Sequence, residues 1–174
     1  MNRRQLIQRG SLASVALMAP SLFLAGCSGD TIKGILNTVL DSAKALLGLL
    51  APNSAFYTDF AAAIAKLEAD EAQWTAGGAV TILEEGLTAV QDVLAVIPQT
   101  MVFSPLIAIL VAGIDAVLNL IPQPAVVAHA ARRANPYKGQ ATLLSPHVFQ
   151  SHAGAYRAQW NAQAVALGLA RAKI

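Results

Sequence analysis

Residues 80–97 read VTILEEGLTAVQDVLAVI, and this stretch decides the fold class. Its apolar residues alternate three and four positions apart, which places them on one face of an α-helix. They are Val80, Leu83, Leu87, Val90, Leu94 and Ile97. The seam covers about two and a half heptads, which is short for a coiled coil and suits one helix of a bundle. Pro98 then ends the helix.

Three further helices are predicted around this one, two before it and one after it. They run from Ile32 to Leu50 ahead of Pro52, from an N-cap at Ser54 to Gly77, and from an N-cap at Ser104, with Pro105 at the first helical position, to Ile121. The last of them is apolar nearly all round, so it suits either the centre of a bundle or half of a membrane hairpin. Charged residues on both candidate hairpin helices, among them Glu84, Glu85 and Asp115, favour the soluble bundle.

The charges divide the chain into two unequal parts. All ten acidic residues lie between residues 30 and 115 together with three lysines, so this part has a net charge of −7. From residue 127 onward there are six basic residues, all three histidines and no acid, which gives +6. We therefore predict an all-α protein: a four-helix bundle-like domain over 27–124, then a basic C-terminal arm with a terminal helix over 125–174.

The basic arm has three possible roles, which the sequence leaves open. It can pack back onto the acidic bundle, bind anionic lipid, or bind the acidic surface of a protein partner. The candidate residues for contact with an anionic surface are Arg132, Arg133 and Lys138. Nucleic acid is not an expected partner, because the six basic residues of the arm are scattered and lack interleaved aromatic residues.

Within the arm, we expect the terminal helix to pack on the bundle and residues 132–139 to be exposed. In the terminal helix, Tyr156, Trp160 and Leu167 share one face and need cover, which predicts that this helix packs on the bundle. Residues 132–139 show no apolar period and contain Asn135-Pro136, so we expect an exposed loop there.

The N-terminus has the three parts of an export signal: basic residues, an apolar run over 11–25, and small residues before the only cysteine. Leu24-Ala25-Gly26-Cys27 resembles the lipobox of bacterial lipoproteins. The resemblance implies that 1–26 is a signal peptide, that the Cys27 sulfur receives a diacylglyceryl group, and that the new amino terminus is acylated. The alternative is an ordinary buried cysteine at the end of a core helix. A lipoprotein would be anchored in the cell envelope facing the periplasm, and Ser28 favours the outer membrane.

Arg3-Arg4-Gln5-Leu6-Ile7 resembles a twin-arginine export signal, in which two arginines precede a pair of apolar residues. This resemblance implies that the domain folds in the cytoplasm before export. A general secretory signal also requires positive charge, so that alternative stays open.

Motifs for chemistry are few. The sequence has no glycine-rich phosphate loop, H-E-x-x-H, C-x-x-C or G-x-S-x-G, and we expect no metal and no cofactor. Asp115 and Asn119, one turn apart on an apolar helix, predict a buried polar pair that makes an interhelical hydrogen bond or contacts a ligand. The sequence favours a non-enzymatic, lipid-anchored binding or scaffolding protein. The alternative is a carrier or enzyme with a small apolar cavity between helices near Asp115.

Overall fold

The computed structural model describes residues 29–75, 77–121, 135–138 and 153–174. Within these ranges the protein is all-helical and has no β-strand, so the predicted fold class is confirmed. The helices are α1 (Gly29–Leu47), α2 (Ala55–Thr75), α3 (Val80–Val96), α4 (Ser104–Leu120) and α5 (Ala153–Ala166), followed by a short 3₁₀ turn (Ala170–Ala172). None of the described helices is both long enough and apolar enough to cross a membrane.

Helices α1 to α4 form a bundle in which helices that follow one another along the chain also pack against one another. α2 packs along α3, α3 along α4, and α1 against both α2 and α4. Lys66 Nζ lies 3.9 Å from Glu85 Oε2 across α2 and α3, and Gln91 bonds to Asp115 across α3 and α4. Connections of four and seven residues join these two pairs, so each pair is antiparallel. Short connections favour this antiparallel arrangement in helical bundles.

The apolar patterns lie where the sequence places them. The middle of the α3 seam, Leu83 to Leu94, is fully shielded from solvent, and Ile97 is 2% exposed. On α4 the buried residues extend around most of the helix: Leu106, Ile107, Ala108, Ile109, Leu110, Val111, Gly113, Ile114, Val117 and Leu118. α4 is therefore the central helix of the bundle, as its composition predicts.

The end of α2 is set by two glycines. Gly77 adopts φ +97°, a conformation that side chains other than glycine rarely tolerate. The Gly77 N–H bonds to the Trp74 carbonyl and the Gly78 N–H to the Gln73 carbonyl, each at 2.9 Å. This is a Schellman motif, and it turns the chain directly into α3.

Of the two predicted serine N-caps, Ser54 directly precedes α2, whereas Ser104 is not the N-cap of α4. α4 begins at Ser104 itself, and the N-cap position belongs to Phe103. The Ser104 hydroxyl lies 2.6 Å from the carbonyl oxygens of both Gln99 and Met101. It therefore donates to the backbone of the connection between α3 and α4. The buried hydroxyl of Ser54 has no hydrogen-bond partner in the described part of the chain. Neither hydroxyl therefore caps a helix N–H in the described part of the chain.

The terminal helix α5 completes the core, which confirms the predicted packing of its apolar face. It lies against α1 and α4, with Tyr156 2% exposed and Trp160 fully buried. Gly113 of α4 makes room for this contact, since a Cβ there would lie 2.7 Å from the Tyr156 ring. Leu167 packs at the edge and is only partly buried.

Candidate functional site at the seam between α3 and α4

Asp115 lies between α3 and α4, where its carboxylate is 19% exposed. Gln91 Nε2 donates a 2.8 Å hydrogen bond to Asp115 Oδ1, which links the two helices. Asn119 is exposed, so the expected buried pair of Asp115 and Asn119 is wrong. Positions four apart on a helix differ by about 40° in direction, enough to turn Asn119 out of the seam.

Residues 135–138 form a turn that docks on this seam. Asn135 Nδ2 donates to the Gln91 carbonyl oxygen at 3.3 Å, and Gln99 Nε2 donates to the Pro136 carbonyl oxygen at 2.9 Å. The Asn135 side chain also accepts the Tyr137 N–H at 3.0 Å, an Asx turn that shapes the segment. The expected exposure of residues 132–139 holds for Pro136 and Lys138 but is wrong for Tyr137, which is buried; Asn135 is half-buried.

Tyr137 is the buried residue of this turn, whose Pro136 and Lys138 are exposed. Its side chain is fully shielded from solvent, and its hydroxyl donates a 2.8 Å bond to the Ile97 carbonyl oxygen. Burial raises the pKa of the Tyr137 phenol above its usual value, opposed in part by a bond to Ser104. At neutral pH the phenol therefore stays protonated and remains a donor.

Two of the four described cations of the arm face acidic residues of the bundle. Lys138 Nζ lies 3.9 Å from Asp115 Oδ2, and an Arg157 guanidinium nitrogen lies 3.8 Å from Asp41 Oδ2. The side chains of Lys138 and Arg157 are about half exposed, so each pair contributes less than about 1 kcal/mol. These pairs agree with packing of the arm onto the acidic bundle, one of its three possible roles.

Several predicted site residues lie outside the described residues. They are the export-signal residues Arg3 and Arg4, the lipidation candidate Cys27 with Ser28, and the arm residues Arg132 and Arg133. Their predictions stay predictions. Within the described ranges, no group of three histidine, cysteine, aspartate or glutamate side chains could hold a metal ion.

A surface groove of about 450 Å³ follows the outer face of α3, on the side of the helix away from the core seam. It is lined by Thr81, Glu84, Glu85, Thr88, Ala89 and Asp92. Asp115 and Asn119 are not among its lining residues, so this groove is not the cavity that a carrier would need. Glu85 is 73% exposed, as expected for a solvated helix face.

The cluster formed by Gln91, Asp115, Asn135, Tyr137 and Lys138 is a docking site for the chain's own arm. Its groups are engaged with one another or with backbone carbonyls, an arrangement that holds two helices and a turn together. The sequence reasoning missed Gln91, Asn135 and Tyr137. Asn135-Pro136 was a usable signal, because asparagine before proline favours a turn that its own side chain closes. Comparison with protein-family models, curated proteins and solved structures finds no match for the chain.

Asp115→Leu should lower the free energy of unfolding by about 1–3 kcal/mol, because the partly buried Gln91 amide loses its acceptor. Asp115→Asn should cost less, since its carbonyl oxygen can still accept from Gln91 while the weak pair with Lys138 is lost. Urea unfolding of both variants measures the difference. Asn119→Leu, on the exposed face one turn away, is the control and should stay within about 0.5 kcal/mol of wild type. Equal stability of the two Asp115 variants would contradict the role assigned to this carboxylate.

Proposed function

We propose that the protein is a lipid-anchored protein of the bacterial cell envelope that binds or scaffolds a partner and catalyses no reaction. The observation that carries the proposal is Leu24-Ala25-Gly26-Cys27, placed after a basic and then an apolar stretch. α1 begins at Gly29, so acyl chains on Cys27 would hold the bundle close to the membrane. Three acyl chains, at about 0.8 kcal/mol per buried CH₂, exceed what stable attachment requires.

The proposed location is the periplasmic side of the outer membrane, because Ser28 follows the cysteine. The twin-arginine resemblance of Arg3 and Arg4 adds export of a folded domain to the proposal.

The proposed partner of the arm is an anionic lipid or an acidic protein surface. Lys138 and Arg157 lie beside bundle carboxylates, which leaves them less able to contribute to such binding. We therefore assign the anionic contact mainly to Arg132 and Arg133.

Cys27→Ala should abolish acylation, because it removes the only sulfur available for diacylglyceryl transfer. We expect wild-type protein from envelope membranes to carry acyl mass at the amino terminus of a chain cleaved before Cys27. The variant should carry no acyl mass and should stay uncleaved at that position. Intact-mass spectrometry of both proteins makes the measurement, and Ser28→Ala is the control that should still be acylated. A wild-type chain that is uncleaved and free of lipid would overturn the proposed anchor.

A further inference from the structure

The groove on the outer face of α3 lies beside the point where Asn135 docks. Thr88 and Glu84 precede Gln91 by three and seven residues, so they lie on the same side of α3 as Gln91. Both line the groove, together with Asp92, which follows Gln91 directly. Asn135 Nδ2 donates to the Gln91 carbonyl oxygen at 3.3 Å. The groove therefore extends from this contact towards the start of α3.

The segment 122–134 connects two points between which the groove lies. Because α3 and α4 are antiparallel, the end of α4 lies at the end of the bundle where α3 begins. The other point is Asn135, held at Gln91, which is roughly 17 Å along α3. The groove covers the same length of α3, from Thr81 to Asp92. Thirteen residues can span up to about 45 Å, so the segment is long enough to follow the groove.

The groove and the segment carry opposite charge. The groove is lined by three carboxylates, those of Glu84, Glu85 and Asp92, and by no basic residue. In the described part of the chain, the Glu84 and Asp92 carboxylates take part in no ion pair. The segment 122–134 contains two arginines, one histidine and no acidic residue. It therefore carries the positive charge that the groove lacks.

We propose that this groove binds residues 122–134 of the same chain, with the guanidinium groups of Arg132 and Arg133 paired with its carboxylates. The two arginines precede Asn135 by three and two residues, so their Cα atoms lie within about 11 Å of the Asn135 Cα. Asp92 adjoins the residue whose carbonyl oxygen holds Asn135, which places it within their reach. Arginine suits this contact because its fork of N–H donors binds a carboxylate through two parallel bonds.

The groove thereby regulates the anionic contact that we assign to the arm, and this consequence rests on the proposed function. While Arg132 and Arg133 are bound in the groove, they are not available to an anionic lipid or an acidic protein surface. Such a surface has to displace the groove carboxylates first. The apparent affinity for it is therefore reduced by the fraction of molecules in which the arginines are free.

Carbodiimide cross-linking of the full chain tests the groove contact directly, because this reagent joins an amine to a carboxylate only where the two groups touch. It is applied to Arg132→Lys and Arg133→Lys, which keep the positive charge and supply the amine. We expect peptide mass spectrometry to find at least one of the two new amines joined to a groove carboxylate. The candidate carboxylates are Glu84, Glu85 and Asp92.

Two controls make a negative result decisive. Lys138 Nζ lies 3.9 Å from Asp115 Oδ2, so this pair should be joined in every variant. Arg171→Lys introduces an amine at an exposed position after α5 and should give no link to the groove. Links from both new amines only to acids outside the groove would overturn the inference. The absence of any link while Lys138 and Asp115 are joined would overturn it as well.

The regulation is tested with the double variant Glu84→Gln and Asp92→Asn, whose dissociation constant for heparin, a soluble polyanion, is measured with the full chain in nonionic detergent. Asp59→Asn with Glu71→Gln is the matched control, because it removes the same charge from α2, outside the groove. The groove variant should bind heparin about threefold or more tighter than the control, since its arginines are released. Far-UV circular dichroism verifies that each variant is folded.

The two measurements separate this inference from the proposed function. Equal heparin affinity of the groove variant and its control would overturn the regulation. Cross-links to the groove without heparin binding by any variant would support the groove contact and would overturn the anionic partner of the proposed function instead.

Discussion

Replacing Trp160 by alanine should lower the free energy of unfolding by about 3–5 kcal/mol, the usual range for truncating a buried aromatic side chain. Trp160 is fully shielded from solvent, and its indole N–H donates a 2.6 Å bond to the Ala172 carbonyl oxygen. Its ring also stacks on Tyr156, with 6.4 Å between the ring centroids. The substitution therefore removes apolar burial, a ring contact and a buried hydrogen bond together.

The damage should extend to the last residues of the chain. Asn161, next to Trp160, makes two 2.9 Å bonds with the backbone of Ile174, one to its carbonyl oxygen and one from its N–H. Trp160 and Asn161 thus hold residues 172–174 against α5 through three hydrogen bonds. Without the indole, the Ala172 carbonyl loses its hydrogen-bond donor, and residues 172–174 should be held less firmly against α5.

Trp74→Ala is the matched control, because Trp74 is the other tryptophan of the chain and lies half-buried near the end of α2. Its loss should have a clearly smaller effect, since water already reaches part of the ring. Urea unfolding followed by circular dichroism compares the two variants in the same way. Equal destabilisation would mean that α5 is not part of the cooperative core.

The sequence was sufficient to predict the helices whose burial follows from period alone. The α3 seam and the nearly all-apolar α4 had to be buried, and a helical bundle buries both. Residues 135–138 could not be predicted in this way. Tyr137 is a single aromatic residue in a segment without apolar period, yet it is fully buried and its hydroxyl bonds to the Ile97 carbonyl oxygen next to the end of α3. Such burial is decided by tertiary contacts that no local pattern encodes.

Of the candidate site, the sequence predicted Asp115 but not its partner, again because the partner depends on tertiary contacts. Helical period places Asp115 on an inward-facing surface but does not say which side chain of the neighbouring helix it meets. The partner, Gln91, lies on α3 between apolar seam residues and is only 9% exposed. Asn119 shares the helix and the polarity of Asp115, yet the angular drift over one turn is enough to expose it.

Gly86 lies on α3 where the helix packs closely against α2. A Cβ on Gly86 would lie 2.6 Å from Asp70 Oδ2, 3.0 Å from Leu67 Cδ1 and 3.1 Å from Leu67 Cα. The last of these atoms belongs to the backbone, so rotation of a side chain cannot remove the clash. Asp70 is also held in place, because its carboxylate is only 8% exposed and bonds to Lys66 Nζ at 2.7 Å.

Gly86→Ala should therefore destabilise the protein by about 1–3 kcal/mol, because α2 and α3 must move apart to admit the methyl group. This result opposes helix propensity, which by itself favours alanine over glycine by about 1 kcal/mol. Gly34→Ala is the control with the opposite sign. Gly34 is an exposed position within α1 where an added Cβ meets no atom within 4 Å, so this variant should gain about 0.5–1 kcal/mol. Urea unfolding of both variants decides the point, and stabilisation by Gly86→Ala would show that the two helices are not packed as closely as these distances require.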